Sequence, residues 1–175
     1  MADSTSSSAP DGRDPEAGGS SGRPPRSIDP RALTGTGVHR LFDVTVREGS
    51  AERVVLTLPV NENVHQPYGI LHGGVSALLA ESAASFGAQL AAPRGKHVVC
   101  IELNASHLRA IRSGTLVATA VPVRTGRTVQ VWAIHLTDEE GRPVCEARCT
   151  LAVVDPHRAP GADAAGPPPQ APSGA

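Results

Sequence analysis

A single carboxylate stands in a long run of apolar and small residues. Glu81 is the only Asp, Glu, Lys or Arg between Leu71 and Ala92. Because burying an unpaired carboxylate is costly, a lone acid in such a run indicates a general acid, a general base or a nucleophile. Ser85 follows four residues later, so the two side chains would share one edge of a helix. The alternative is that Glu81 reaches solvent and only keeps the surface polar.

Two glycines precede this carboxylate. His72, Gly73 and Gly74 stand where the apolar run begins, after a polar loop that carries Gln66. Glycine lets a ligand approach the backbone closely, and the first N–H groups of a helix have no partner within that helix. With the helix dipole, such donors suit an anion or the oxyanion of acyl transfer. Paired glycines could equally form a simple tight turn, so the motif gains weight from Glu81 two turns later.

The pattern of the surrounding residues predicts the elements that hold these groups. The segment from Val75 to Pro93 has one internal breaker, Gly87, and predicts a helix. Alternating apolar residues and turn residues predict two strands before the helix and four after it. The predicted strands are residues 38–48, 53–60, 97–109, 114–124, 127–137 and 143–155. One helix against one antiparallel sheet of about six strands is an α+β fold.

The predicted helix has no charged face. At 100° per residue its bulkier residues form a stripe that we expect to face the core. This stripe is Val75, Leu78, Leu79, Ser82, Phe86 and Leu90. The opposite side is small: Ala77, Ala80, Ala84, Gly87 and Ala88. A helix that is small or apolar all round is buried on most sides, so we expect a curved sheet or a second subunit to cover it.

The ends of the chain differ from its centre. Eleven of the 16 prolines lie in residues 1–30 and 156–175, which lack hydrophobic periodicity and predict disordered tails. The folded domain is then residues 31–155. A net charge of -1 and an aromatic content of 2% give no footprint for nucleic acid or an anionic membrane. No apolar run approaches the roughly 20 residues of a membrane helix.

The three cysteines, Cys100, Cys145 and Cys149, are sparse and lack zinc-finger spacing. They favour neither a disulfide scaffold nor a metal site. We therefore expect a reducing compartment, which is the cytoplasm.

The motifs together resemble a known family. The stretch GILHGGVSALLAESAASFGA, followed by IELNASHLRA, is similar to the hotdog-fold acyl-CoA thioesterases. The similar branch includes the enterobactin-pathway proofreading, dihydroxynaphthoyl-CoA and phenylacetate-pathway thioesterases. The resemblance covers roughly residues 38–155. It implies a long central helix wrapped by an antiparallel sheet, and hydrolysis of an acyl- or aroyl-CoA thioester.

The resemblance also implies catalytic roles. Glu81 would be the nucleophile or the general base, and the Gly73 N–H would polarise the thioester carbonyl. Gln66 would help to hold that carbonyl, and His72 would orient the thioester. Ser85 would position the water or the acyl group. The site would be shared by two subunits of a homodimer, usually paired again into a homotetramer.

Substrate-binding roles follow in the same way. His107 would line the acyl pocket, and Gly74 would let the substrate approach the backbone. Arg109 is a candidate for the coenzyme A phosphates, as are Arg112, Arg124 and Arg127 near other strand ends, although any of these could be an ordinary surface arginine. Coenzyme A belongs to the substrate, so the resemblance implies no separate cofactor.

Two other functions stay open at this point. One is a hotdog-fold dehydratase or hydratase, although its usual motif before the helix is not found here. The other is a non-catalytic acyl-CoA-binding module, against which Glu81, Gln66 and His72 argue. The resemblance favours an aromatic acyl group, with dihydroxynaphthoyl-CoA as one candidate.

Overall fold

The computed structural model describes residues 35–156. The predicted tails, residues 1–30 and 156–175, lie outside this range except for Pro156. In chain order the elements are α1 (Gly37–Leu41), β1 (Thr45–Gly49), β2 (Val54–Pro59), a 3-10 turn (Glu62–Val64), β3 (His65–Gln66), β4 (Ile70–Leu71), α2 (Gly73–Ala91), β5 (His97–His107), β6 (Thr115–Thr125), β7 (Val129–Thr137) and β8 (Pro143–Val154).

Six of these strands form one antiparallel sheet. Its order is β1-β2-β6-β7-β8-β5, so β1 and β5 are the two edges. The helix α2 lies across one face of this sheet and contacts β2, β5, β6, β7 and β8. The predicted α+β architecture, with one long helix and six strands in this chain order, is confirmed.

The small side of α2, and not the bulky stripe, makes most of the contact with the sheet. The buried residues of the helix include Ala80, Ala83, Ala84, Gly87 and Ala88, alongside Leu79, Phe86 and Leu90 of the predicted stripe. The stripe residues Val75, Leu78 and Ser82 are only half-buried. The predicted orientation is therefore wrong in part. Small residues let the helix axis approach the sheet closely. The close packing that results stabilises this orientation more than burial of the whole bulky stripe would.

The closest approach is at Gly87. A Cβ atom built there would lie 2.4 Å from Cη2 of the buried Trp132 ring. The indole Nε1 donates to Oε1 of Gln130 at 3.1 Å, and Nε2 of Gln130 donates to the Ala88 carbonyl at 3.1 Å. A buried polar chain thus joins β7 to the helix with its donors satisfied, as buried polar groups require.

The strand predicted over residues 38–48 is wrong in its first half. Residues 37–41 form the short helix α1, and β1 begins only at Thr45. Gly37 has a φ of +56° and Asp43 a φ of +51°, so the chain turns at both ends of α1. Residues with left-handed backbone angles interrupt an extended strand. The alternation of apolar and polar residues does not predict such turns.

The described residues contain neither a membrane-spanning helix nor a cluster of metal ligands. Among residues 35–156, no helix is long and apolar enough to cross a membrane. In the same range, no group of three or more His, Cys, Asp or Glu side chains could hold a metal ion.

Candidate active site

The N-terminus of α2 is capped by His72. Its Nδ1 accepts a hydrogen bond from the Gly74 N–H at 2.9 Å, and its carbonyl accepts from the N–H groups of Val75 and Ser76. The Gly73 N–H has no acceptor among the residues that the structure describes. Gly73 therefore keeps a first-turn donor that can meet an incoming oxyanion, whereas the N–H of Gly74 is already used.

His107, the last residue of β5, lies against this helix terminus. A Cβ atom built at Gly73 would lie 2.9 Å from Nε2 of His107. Any side chain at position 73 would therefore have to displace the imidazole, which explains the glycine. The structure places His107 beside Gly73 and outside the lining of the large cavity described below, so its part in an acyl pocket stays a prediction.

Gln66 is carried by a small hairpin that leads into α2. It lies in β3 and pairs with Ile70 of β4. The turn is closed by a hydrogen bond from the Gly69 N–H to the Gln66 carbonyl at 2.9 Å. Because β4 ends at the residue before His72, the hairpin sets where the half-buried Gln66 stands relative to Gly73.

The connection between β5 and β6 braces this hairpin. Nη1 of Arg112 donates to the carbonyl oxygens of Tyr68 at 3.2 Å and Gly69 at 2.9 Å. Nε2 of His65 lies 2.8 Å from the Arg112 carbonyl oxygen. Arg112 is thus engaged in holding the hairpin, a structural role that the sequence had left open beside phosphate binding.

Arg109 lies at a small cavity of about 260 Å³. Its Nε donates to the Pro143 carbonyl at 3.4 Å. Asp138 and Arg142 line the same cavity and form an ion pair at 2.6 Å. Burial opposes the ionisation of Asp138, but the hydrogen bonds from Arg142 outweigh it and hold the pKa of Asp138 below its ordinary value. Arg142 is therefore paired, while Arg109 is exposed to solvent.

A larger cavity, of about 670 Å³, runs along one face of α2. This volume lies within the roughly 300–1,000 Å³ of small-molecule sites. Glu81, Ser85 and Gly74 line it. Glu81 is exposed in the single chain, so the burial expected for a lone carboxylate is not present there. The apolar lining includes Val44, Val46, Leu56, Leu78, Phe86, Val98 and Leu103.

Glu81 and Gly73 lie on the same helix but eight residues apart. At 1.5 Å per residue, this places them about 12 Å apart along the helix axis. A reacting carbonyl has to lie within about 3 Å of both the oxyanion donor and the attacking group. The backbone positions of the two residues on one chain are therefore well separated along α2.

His39 lines this cavity, although the sequence pattern did not indicate it as a site residue. The helix α1 places Nε2 of His39 at 2.8 Å from Oγ of Ser82, and both residues line the large cavity. The predicted strand over residues 38–48 gave no reason to place His39 beside α2. The sequence signal that could have indicated this polar contact is Ser82, a hydroxyl side chain within a stripe of bulky apolar residues.

The same region of the chain is similar to known proteins. The thioesterase superfamily model matches residues 68–145. The chain is 46% identical over 110 residues to 1,4-dihydroxy-2-naphthoyl-CoA hydrolase of Listeria monocytogenes, covering 63% of this chain and 87% of that protein. It is 40% identical over 120 residues to the proofreading thioesterase EntH of Cronobacter sakazakii, covering 69% and 87%.

Solved structures agree with the sequence relatives. The crystal structure of a mutant of thioesterase PA1618 from Pseudomonas aeruginosa matches with a TM-score of 0.70 and 36% identity, covering 74% of this chain and 96% of that one. The chain therefore belongs to the thioesterase superfamily and is a thioester hydrolase of the hotdog fold.

Proposed function

We propose that this thioesterase hydrolyses an acyl- or aroyl-CoA thioester to a free carboxylic acid and coenzyme A, without a further cofactor. The observation that carries the proposal is the Gly73 N–H, which keeps its hydrogen-bonding capacity at the start of α2 while His72 caps Gly74. A donor in this position suits the oxyanion that forms when a thioester carbonyl is attacked. The activity in the name of the Listeria relative supports a coenzyme A thioester as the substrate class.

Each polar group has a part in the reaction. The Gly73 N–H and the Gln66 side chain hold the carbonyl oxygen, and Glu81 attacks the carbonyl carbon or removes a proton from an attacking water. In direct attack, a C–O bond forms between Glu81 and the acyl carbon and the C–S bond breaks. Water then hydrolyses the mixed anhydride to the free acid, which regenerates the Glu81 carboxylate and supplies the proton for the coenzyme A thiolate. In the water route, the new C–O bond forms, the C–S bond breaks, and the proton taken by Glu81 passes to the departing sulfur. Oxyanion donors typically contribute ~10²–10³ in rate and general bases ~10²–10⁴. His72 orients the thioester and Ser85 positions the water.

The site is shared between two subunits in this proposal. The separation of about 12 Å between the backbone positions of Gly73 and Glu81 along α2 supports an arrangement in which Gly73 of one chain and Glu81 of another meet at the carbonyl. The edge strand β5 supports such an assembly, because it is 11 residues long and ends the sheet. An open edge is a template for pairing with a second chain. We therefore propose a homodimer, which pairs again into a tetramer.

The named Listeria relative favours an aromatic acyl group, and the cavity has room for one. Its lining is mostly apolar, and its volume of about 670 Å³ accommodates a fused ring. Dihydroxynaphthoyl-CoA is a candidate on the strength of the named Listeria relative. The three cysteines are free thiols, which supports a cytoplasmic location.

The direct test is release of free thiol from a panel of coenzyme A thioesters by the wild type and by Glu81→Ala. The panel is benzoyl, hydroxybenzoyl, hydroxyphenylacetyl, dihydroxynaphthoyl, and short and long aliphatic esters. We expect turnover of aroyl esters by the wild type and a loss of at least 10²-fold in kcat for the variant.

Glu81→Gln is the matched control, because it keeps the size of the side chain but can act neither as base nor as nucleophile. It should be as inactive as Glu81→Ala while retaining the circular dichroism spectrum of the wild type. Near-full hydrolysis by either variant would refute the role of Glu81. Tight binding of the esters without turnover by the wild type would instead indicate a binding module.

A further inference from the structure

A polar pair in the wall of the large cavity has no part in the reaction proposed above. Nε2 of His39 and Oγ of Ser82 are 2.8 Å apart, and both side chains are half-buried. The two residues are 43 positions apart in the chain, so their contact is made by the tertiary fold. His39 is brought over α2 by the short helix α1, which packs none of its own side chains into the core.

The pair is placed next to the reacting group. Ser82 follows Glu81 directly on α2, and both line the same cavity. The cavity is the mostly apolar space beside Glu81, so it can receive the acyl group of a thioester that is attacked there. An acyl group in this cavity would lie beside the His39–Ser82 pair, because both residues line it.

The other polar side chains of the cavity are already engaged. Gln89 donates from Nε2 to the Lys96 carbonyl at 2.9 Å and accepts from the Val98 N–H at 3.2 Å. Glu81 and Ser85 belong to the proposed chemistry. Most of the remaining wall is apolar, so the His39–Ser82 pair is a polar feature among mainly apolar side chains.

The hydrogen bond between the two residues leaves Ser82 able to make another. A hydroxyl has one donor and two acceptor sites. If His39 donates, the Ser82 O–H remains as a donor; if His39 accepts, the Ser82 oxygen still accepts. A hydroxyl group on a ligand can both donate and accept, so it fits either arrangement. An unsubstituted acyl group would leave this capacity unmet in an apolar wall, which is unfavourable.

We propose that His39 and Ser82 form a specificity pair that hydrogen-bonds a hydroxyl substituent on the acyl group and so selects hydroxylated over unsubstituted aroyl thioesters. This inference rests on the proposed aroyl-CoA hydrolysis. Ser82 makes the contact, and His39 is a positioning residue that holds the Ser82 hydroxyl.

The test compares kcat/KM for hydroxybenzoyl-CoA isomers with kcat/KM for benzoyl-CoA. In the wild type, at least one hydroxylated isomer should be preferred. Ser82→Ala and His39→Phe should each lower that preference about tenfold, the worth of one hydrogen bond, while kcat/KM for benzoyl-CoA does not fall and can rise, because the unmet hydrogen-bonding capacity is removed. His39→Gln keeps a donor and an acceptor near the position of Nε2, so it should restore much of the preference.

Further variants separate specificity from a general structural effect. The double variant His39→Phe with Ser82→Ala should lose no more preference than Ser82→Ala alone, because the two residues act as one unit. His135→Phe, a histidine that pairs with Glu146 outside the cavity, is the matched control and should leave the preference unchanged.

The outcomes are distinguishable. An equal loss on both substrates, or an unchanged preference, would overturn the specificity pair and leave aroyl-CoA hydrolysis intact. Absence of aroyl-CoA turnover by the wild type would overturn the proposed function and this inference together.

Discussion

The imidazole of His107 lies directly against the backbone of Gly73. A Cβ atom at position 73 would lie 2.9 Å from Nε2 and 3.2 Å from Cε1 of that ring. The end of β5 and the start of α2 are therefore in contact through one histidine and one glycine. This contact brings a ring that can donate or accept a hydrogen bond beside the proposed oxyanion donor.

Replacing this glycine should impair catalysis more than stability. In Gly73→Ala the methyl group displaces the His107 ring, which is exposed and free to move outward, so we expect a small change in Tm and a loss of about tenfold or more in kcat/KM. The measurement is steady-state hydrolysis alongside thermal unfolding. If displacement of the ring is the cause, adding Gly73→Ala to His107→Ala should cost little further activity. A full additional loss in the double variant would show that Gly73 acts independently of His107.

Removing the cap of α2 should separate folding from function at His72. His72→Ala loses the acceptor for the Gly74 N–H, and we expect the free energy of unfolding to fall by about 1 kcal/mol in urea titrations. Asparagine is a strong N-cap residue, so His72→Asn should recover that stability. If His72 orients the thioester, His72→Asn should nevertheless remain impaired in kcat/KM. Recovery of both the free energy of unfolding and kcat/KM would show that His72 acts only as the N-cap of α2.

Gly87→Ala should be destabilising, although alanine is ordinarily the better helix former. The added methyl would lie 2.4 Å from Cη2 of the buried Trp132 ring, which cannot move outward. We expect the free energy of unfolding to fall by about 1–3 kcal/mol in urea titrations. Trp132→Leu removes the obstructing ring, so Gly87→Ala should cost less in that background than in the wild type. An unchanged or higher stability of Gly87→Ala alone would contradict the close packing of α2 on β7.

Asp138 should make stability depend on acidic pH. Its carboxylate accepts from the N–H groups of Glu140 and Arg142 and from Nε of Arg142. Because its folded-state pKa is lowered, its contribution is present above about pH 4, the ordinary carboxyl value, and is lost as pH falls through the lowered pKa. Asp138→Asn should therefore unfold at a lower Tm than the wild type at pH 7, and the difference should shrink towards pH 2. A difference that is constant across this range would exclude the ionised carboxylate as its source.

Arg109 offers a test for binding of the coenzyme A phosphates. If its guanidinium contacts a phosphate, Arg109→Ala should raise KM for a coenzyme A thioester about tenfold with little change in kcat. The same acyl group on N-acetylcysteamine lacks those phosphates and should be hydrolysed equally by both proteins. The comparison is made at low and at moderate salt, since screening weakens an exposed ionic contact. Equal KM values for the coenzyme A ester would mean that Arg109 is an ordinary surface arginine.

The order of the elements and several residues of the candidate site could be predicted from the sequence alone. Six alternating runs and one uninterrupted helix predicted the sheet and α2, because side-chain periodicity is a local property. The lone Glu81 and the glycines at the helix start could likewise be singled out from residue types within one segment.

The orientation of α2 and the position of His39 depend on contacts between distant segments, so they became evident only from the folded structure. The small side of α2 faces the sheet because Gly87 lets Trp132 approach, a contact that no helical projection contains. The turn at Asp43 converts part of a predicted strand into α1 and thereby brings His39 to Ser82.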